Sequence, residues 1–287
     1  MASSSPTVAS WELALRLRQR REQLGMEVKT ITAAVGFSRN YWSAVENERK
    51  ILAEDKLKNV LNLFEFDDEE QREMLDLREA AKRRGWWTRY SALFGDETLR
   101  LYGLESGAEA IRTYESLLIP GLLQTEDYAR ALMTSEITTI RQVEVEQRIE
   151  VRMRRQERIA GEDRLHLTAI ISQAALMQQT GGPRVLRDQL AHLARLIEEH
   201  PDVVDLRVIP FSATGCGAFG ASTFHLIDFA SARLPTLAWQ ETVTAGGIID
   251  DENQVRDLSL TYVEALGRTL SARDSLNLIN QCANEIP

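Results

Sequence analysis

The stretch ITAAVGFSRNYWSAVENE, residues 31–48, decides the fold of the N-terminal part of the chain. Apolar residues at three- and four-residue spacings before Gly36 predict a short helix that ends there, because glycine adopts the positive φ of a tight helix corner. Ser38 is of a residue type that caps helices, and Trp42 and Val45 mark the buried face of the helix that follows. Two short helices around a glycine-containing turn are typical of a helix-turn-helix.

The second helix of such a pair enters the DNA major groove through its N-terminal residues. Arginine can form paired hydrogen bonds with guanine, asparagine with adenine, and serine can reach a phosphate or a base edge. The candidate base-reading residues are Ser38, Arg39, Asn40, Ser43 and Asn47. The candidate phosphate-binding residues around them are Arg18, Arg49, Lys50 and Lys56. For any single one of these residues, the alternative is an ordinary solvated side chain.

Apolar periodicity extends this pattern to five helices. Trp11 and Leu17 lie on the stripe of the first helix, and Leu57, Leu61 and Met74 mark the last two. We predict a disordered tail over residues 1–10, a helix-turn-helix DNA-binding domain over 11–84, and a regulatory and dimerisation domain over 85–287.

The remainder of the chain mixes strands with helices. Apolar runs predict strands at 165–171, 203–209, 222–229 and 234–240, and longer periodic segments predict helices at 144–159, 184–199, 252–270 and 272–282. Because strands follow strands closely, the sheet is expected to be antiparallel or mixed. The predicted fold class is α+β, with an all-α head of five helices and a larger body in which helices pack on the sheet.

Charge is distributed unevenly along the 287 residues. Residues 1–90 hold 16 Lys and Arg against 15 Asp and Glu, whereas the rest holds 18 against 28, and the net charge is −9. An acidic protein can contact nucleic acid only through a local basic patch. With 44% hydrophobic and 27% charged residues, the composition excludes a disordered or fibrous chain.

Several classes of protein are not expected. Two cysteines and four scattered histidines provide neither a disulfide framework nor a zinc site, so we expect no metal and no cofactor. The N-terminus lacks the features of a signal peptide, and no apolar run approaches the roughly 20 residues that span a bilayer. The expectation is a soluble cytoplasmic protein that does not contact a membrane.

Three further patterns have competing interpretations. The segment GCGAFG, residues 215–220, matches a dinucleotide-binding spacing, but the strand-like residues after it favour a turn. Acidic residues at 126–127 and 250–252 could bind a divalent ion, although helix capping explains them better. The arginines of 148–158 could extend a DNA-binding face or bind an acidic partner, but ion pairs with glutamates at helical spacing are favoured.

Residues 13–64 resemble the XRE/Cro-type helix-turn-helix domain. The matching positions are Ile31, Val35, Gly36, Phe37, Ser38, Ser43, Val45 and Glu46. Three positions depart from the usual pattern: Val28 replaces a frequent phosphate-contacting glutamine, Ala44 a basic residue and Glu48 a helix-ending glycine. With Glu46, these changes predict a groove face that is less cationic than is usual in the family.

Residues 85–270 resemble the uncharacterised domain that follows XRE-type modules in a bacterial family of antitoxin-like transcriptional regulators. The resemblance is carried by GWW at 85–87, Tyr114-Glu115, IPGLLQTEDYARAL at 119–132, the arginine pattern of 148–156, Gly181-Gly182 and Gln189-Leu190. It implies a DNA-binding regulator that is often paired with a small partner protein encoded by a neighbouring gene, and it implies no catalytic residues.

These observations favour a sequence-specific, non-enzymatic transcription regulator that binds double-stranded DNA as a homodimer. Its C-terminal domain would bind a small-molecule effector or a small partner protein. One alternative is an antitoxin-like protein-binding module for which DNA binding is secondary. The other is an enzyme with a DNA-binding appendix, whose best site would be the 215–220 loop with His225.

Overall fold

The computed structural model describes residues 5–136, 140–161, 163–242 and 246–286. The chain divides into two compact units, Met1–Arg89 and Tyr90–Pro287. The first unit is all-helical in its described residues. Its α-helices are α1 (Pro6–Gln23), α2 (Val28–Val35), α3 (Arg39–Glu46), α4 (Glu54–Leu63) and α5 (Asp68–Ala81), and a 3₁₀ turn follows at Trp86–Tyr90.

The first helix starts earlier than its sequence pattern predicts. Ser5 caps α1 by accepting a hydrogen bond from the backbone N–H of Thr7, and Pro6 occupies the first helical position, where its missing N–H costs nothing. Val8 and Ala9 are buried. Residues 6–10 therefore belong to α1 and not to the predicted disordered tail.

Each of the five helices contributes one buried face to the core of the first unit. Leu17, Ile31 and Leu57 are fully buried in it. The ring of Trp42 meets the edge of Phe64 with 5.9 Å between ring centroids, an arrangement favoured by the ring quadrupoles. This packing fixes the orientation of α3, because Trp42 is the largest buried side chain of that helix.

The second unit is built on one mixed sheet. Its strands are β1 (Ala110–Glu115), β2 (His166–Ser172), β3 (Val204–Ile209), β4 (Phe224–Asp228), β5 (Leu237–Glu241) and β6 (Gly246–Ile249). They lie in the order β3-β2-β1-β4-β5-β6. The pairs β1–β2 and β2–β3 are parallel, and the others are antiparallel. The predicted α+β fold class is confirmed, although β1 and β6 were not predicted.

Helices cover both faces of this sheet. They are α6 (Asp96–Gly107), α7 (Glu126–Ser135), α8 (Val145–Ala160), α9 (Gln173–Met177), α10 (Pro183–Glu199), α11 (Glu252–Leu266) and α12 (Ala272–Glu285). On one face, Tyr114 and Phe224 pack with Tyr262 of α11. The alternate residues of the strands face α6 and α8. No helix among the described residues has the length and apolarity needed to cross a membrane.

Candidate nucleic-acid interface

The local sequence builds a sharply defined α3. Gly36 ends α2 with φ 73° and donates its N–H to the Thr32 carbonyl at 3.0 Å. Ser38 then caps α3, and its hydroxyl oxygen accepts a hydrogen bond from the Tyr41 N–H at 3.1 Å. Trp42 faces the core, so the other side of the helix is left to solvent. Together, α2, the turn at Gly36 and α3 form the predicted helix-turn-helix.

The predicted base-reading residues share that solvent side. Arg39, Asn40 and Ser43 are exposed on α3, and Asn47, the residue that caps its C-terminus, is exposed as well. Asn47 Nδ2 donates to the Ser43 carbonyl at 2.7 Å and lies 3.3 Å from Ser43 Oγ. The amide of Asn47 is thus turned back on the helix, whereas the three residues nearer the N-terminus present their side chains to solvent.

Two arginines of α1 hold the end of α3. Arg18 Nη2 donates a hydrogen bond to the carbonyl of Glu46, and Arg21 Nε lies 2.6 Å from Glu46 Oε1. The hydrogen bond from Arg21 to Glu46 raises the pKa of Arg21. Cations at a helix C-terminus also interact favourably with the helix dipole. Arg18 is half-buried here, so its predicted phosphate contact would require the side chain to leave this hydrogen bond.

The same contacts correct one expectation about charge. Glu46 is 9% exposed and is paired with Arg21, so it lies on the core side of α3. Glu46 therefore does not make the groove face less cationic, and this part of the expectation was wrong. The net charge of the exposed face is set instead by Arg39 and by the basic residues after the helix.

An aromatic pair that the sequence reasoning missed positions two lysines. The rings of Phe37 and Tyr41 stack with 4.8 Å between centroids. Lys50 Nζ lies 4.9 Å from the Tyr41 ring centroid, and Lys56 Nζ lies 5.9 Å from that of Phe37. Such cation–π contacts are electrostatically favourable. The sequence does contain a signal for this arrangement, because Phe37 and Tyr41 are four residues apart and two lysines follow them closely.

The structure brings the predicted residues together in one unit. Those that are exposed are Ser38, Arg39, Asn40, Ser43, Asn47, Arg49 and Lys50. Arg49 directly follows Glu48, whose φ of 61° reverses the chain at the end of α3. Guanidinium, amide and hydroxyl groups on one helix, next to lysine ammonium groups, match the chemistry of base edges and phosphates.

The structure does not support a dinucleotide site at residues 215–220 or a metal site among the described acidic residues. Gly217–Gly220 is a 3₁₀ turn that leads to β4, so the last glycine of the 215–220 motif does not open the α-helix that a dinucleotide site needs. Thr125 and Asp251 cap α7 and α11. Within the described residues, no three His, Cys, Asp or Glu side chains group in a way that could hold a metal ion.

The arginines of α8 correct a further expectation. Arg148 pairs with Glu144 at 3.0 Å and at helical spacing, as predicted. Arg155 instead binds Glu105 of α6 with two bonds of 2.8 Å, and Arg158 donates to the carbonyls of Glu105 and Ala108. These side chains bind partners that are distant in sequence, which helical spacing does not reveal.

An all-helical unit in which α2 is followed, after a tight turn, by a capped and solvent-exposed α3 defines a helix-turn-helix DNA-binding protein. Comparison with known families agrees, since residues 12–74 match a family described as a helix-turn-helix domain. Residues 98–281 match a domain of unknown function (DUF5753), and because this match covers more than half of the chain, the protein belongs to that family. Comparisons with curated proteins and with solved structures gave no significant match.

Proposed function

We propose that the protein is a sequence-specific, non-enzymatic transcription regulator that reads double-stranded DNA with α3. The observation that carries the proposal is the exposure of Arg39 and Asn40 on a helix whose other side is fixed by Trp42. Arg21 also holds the end of this helix through Glu46. Because the backbone of α3 is already fixed, less conformational entropy is lost when the protein binds DNA.

A homodimer is part of this proposal. One helix-turn-helix covers few base pairs, so useful specificity generally requires two half-sites and two copies of the domain. Leu260 and Val263 of α11 are 62% and 61% exposed and lie three residues apart, so they share one side of the helix. These residues support an association surface in the second unit, and the resemblance of residues 85–270 to the antitoxin-like regulators supports a small partner protein as its other occupant.

Selection of bound sequences from a random DNA pool, at one fixed salt concentration, tests the proposal with the full chain. A sequence-specific dimer is expected to enrich an inverted repeat of two short half-sites. Arg39→Ala should lose the enrichment at one position of each half-site. Lys58→Ala is the matched control, because Lys58 is an exposed cation on α4 that pairs with Glu54.

Three outcomes would overturn the proposal. Binding without any enriched sequence would show that α3 does not read bases. Co-purification of a small protein, with weak DNA binding that hardly depends on salt, would favour the antitoxin-like partner-binding module instead. Steady turnover of a substrate by the purified chain would favour the enzyme.

A further inference from the structure

The second unit contains a cavity of about 580 Å³. Strands β1, β4 and β5 form its floor, on the sheet face opposite α11, and α6, α8 and the segment 118–124 provide walls. Volumes of several hundred cubic ångströms are typical of sites for small molecules. The cavity lies in the part of the chain to which the family match assigns no function.

The floor of the cavity carries polar side chains in register across three strands. Thr113 of β1 pairs with His225 of β4, which pairs with Trp239 of β5. Thr113 Oγ1 and His225 Nδ1 are 2.7 Å apart. One row further along, the hydroxyl of Thr223 donates to Glu115 Oε2 at 2.6 Å. Because side chains alternate between the faces of a strand, this polar strip belongs to the cavity face.

The wall formed by α8 carries Arg152, a cation without an ion-pair partner in the described part of the chain. Arg155 is neutralised by the paired hydrogen bonds with Glu105. Arg152 donates from Nη1 to the amide oxygen of Gln124 at 2.6 Å, while its buried Nε has no hydrogen-bond partner among the residues that the structure describes. In the part of the chain that the structure describes, no carboxylate lies within ion-pair distance of Arg152. A buried cation with only a neutral partner is costly, and burial lowers the pKa of Arg152.

A second lining residue also has an unused donor. The indole N–H of Trp239 is buried and has no partner among the described residues. The acids nearby do not supply what is missing, since Glu105 is bound to Arg155, and burial raises the pKa of Glu115 to about 7. Glu241 is exposed. The charges of Glu136 and Glu241 act on Arg152 from a distance, but among the described residues no carboxylate is bound directly to its guanidinium.

Much of the remaining lining is apolar. It includes Leu101, Ile111, Leu118, Leu132, Leu167 and Ile227. We propose that this cavity binds a small organic acid, with its carboxylate on Arg152 and its apolar part against these aliphatic side chains. Two carboxylate oxygens would accept hydrogen bonds from the guanidinium, and the apolar part would gain from leaving water.

Calorimetric titration and thermal unfolding of the full chain test this with three probes of equal size: 4-phenylbutyrate, its amide and the corresponding amine. The acid is expected to bind at least tenfold more tightly than either analogue and to raise the melting temperature most. Arg152→Met should reduce the affinity for the acid at least tenfold, to that of the amide. Arg184→Met is the matched control, because Arg184 is 73% exposed on α10.

A second variant tests the location independently of the charge. Leu132→Trp adds volume inside the cavity and leaves Arg152 in place, so it should weaken binding of the acid at least tenfold, while an unchanged circular dichroism spectrum and cooperative thermal unfolding show that the chain is folded. Equal affinity for acid and amide, or unchanged acid binding in either Arg152→Met or Leu132→Trp, would overturn the proposal. The result does not depend on whether the protein regulates transcription, since binding alone is measured.

Discussion

Arg21 of α1 and Glu46 of α3 form an ion pair with 2.6 Å between Nε and Oε1, and their side chains are only 17% and 11% exposed. The pair joins the longest helix of the first unit to the end of the helix that carries the candidate base-reading residues. It therefore couples the stability of the unit to the position of α3.

Glu46→Gln is expected to destabilise the first unit by about 1 kcal/mol, because it removes the charge that pairs with a largely buried guanidinium. DNA affinity should fall for all sequences alike, since the end of α3 is less well fixed. The measurements are hydrogen exchange of the α3 amides and a binding titration. Lys58→Gln, which removes the half-exposed pair with Glu54, is the control and should change neither. Equal effects of the two substitutions would show that the Arg21–Glu46 pair has no special role.

Arg39 and Lys50 are expected to contribute to binding in different ways. Arg39→Ala should relax preference at one base position, costing about 1–3 kcal/mol of discrimination. Lys50→Ala should weaken binding evenly for all sequences and reduce the slope of log affinity against log salt by about 1. Both are read from titrations of matched and mismatched duplexes at several salt concentrations.

The contact between Lys50 and the ring of Tyr41 provides a further comparison. Tyr41→Leu keeps an apolar side chain on the core but removes the ring, so it should resemble Lys50→Ala with a smaller effect. A loss of base preference in Lys50→Ala, or none in Arg39→Ala, would mean that the groove face has been assigned to the wrong residues.

The helix-turn-helix could be predicted because its signals are local. Gly36 and Ser38 determine where one helix ends and the next begins, and Trp42 determines which face of α3 is buried, all within seven residues. Such short-range chemistry is visible in a single sequence. The side on which Glu46 lies was not visible, because its partner Arg21 is 25 residues away.

The cavity could not be predicted, for a related reason. β1 was missed because Thr113 and Glu115 occupy its cavity face, and polar residues there hide the apolar alternation of a strand. The arginines of α8 were predicted to pair with glutamates at helical spacing, because a single sequence does not show that the partner of Arg155 is Glu105, 50 residues away. Sequence reasoning thus failed where buried polar groups are held by long-range contacts.

Two backbone positions with positive φ are expected to respond in opposite directions. Gly36 has φ 73° and Glu65 has φ 55°, a region that disfavours side chains by about 1–2 kcal/mol. A Cβ at Gly36 would contact nothing within 4 Å, so Gly36→Ala should destabilise the unit through backbone strain alone. Glu65→Gly should stabilise it by about 0.5–1 kcal/mol, less than the full strain because glycine also gains freedom in the unfolded chain.

Hydrogen exchange of the amides in α2 and α4 measures both effects in the full chain. Gly36→Ala should also weaken DNA binding, since the corner between α2 and α3 is distorted, whereas Glu65→Gly should leave affinity unchanged. Slower exchange in Gly36→Ala, or faster exchange in Glu65→Gly, would contradict the assigned role of these conformations.

Glu115 is expected to make stability depend on pH. Burial is the largest influence and raises the pKa of Glu115 to about 7. The nearby charge of Glu241 also raises this pKa, whereas the hydrogen bond from Thr223 and the charge of Arg152 lower it. Between the ordinary pKa of 4.5 and about 7, the folded protein keeps a proton that the unfolded chain has lost. Stability therefore falls as pH rises through this window, and the whole cost is present above it.

His225 has the opposite effect, which separates the two groups. Burial lowers the pKa of His225 from 6.5 to about 4, so its contribution to stability rises with pH from about 4 to 6.5 and is constant above that. Glu115→Gln should therefore be stabilised relative to the parent protein by about 2–3 kcal/mol more at pH 8 than at pH 5. His225→Gln should change the pH dependence only below 6.5. Denaturant unfolding at pH 5, 6.5 and 8 measures both, and parallel curves for Glu115→Gln and the parent protein would show that Glu115 ionises in the cavity without cost.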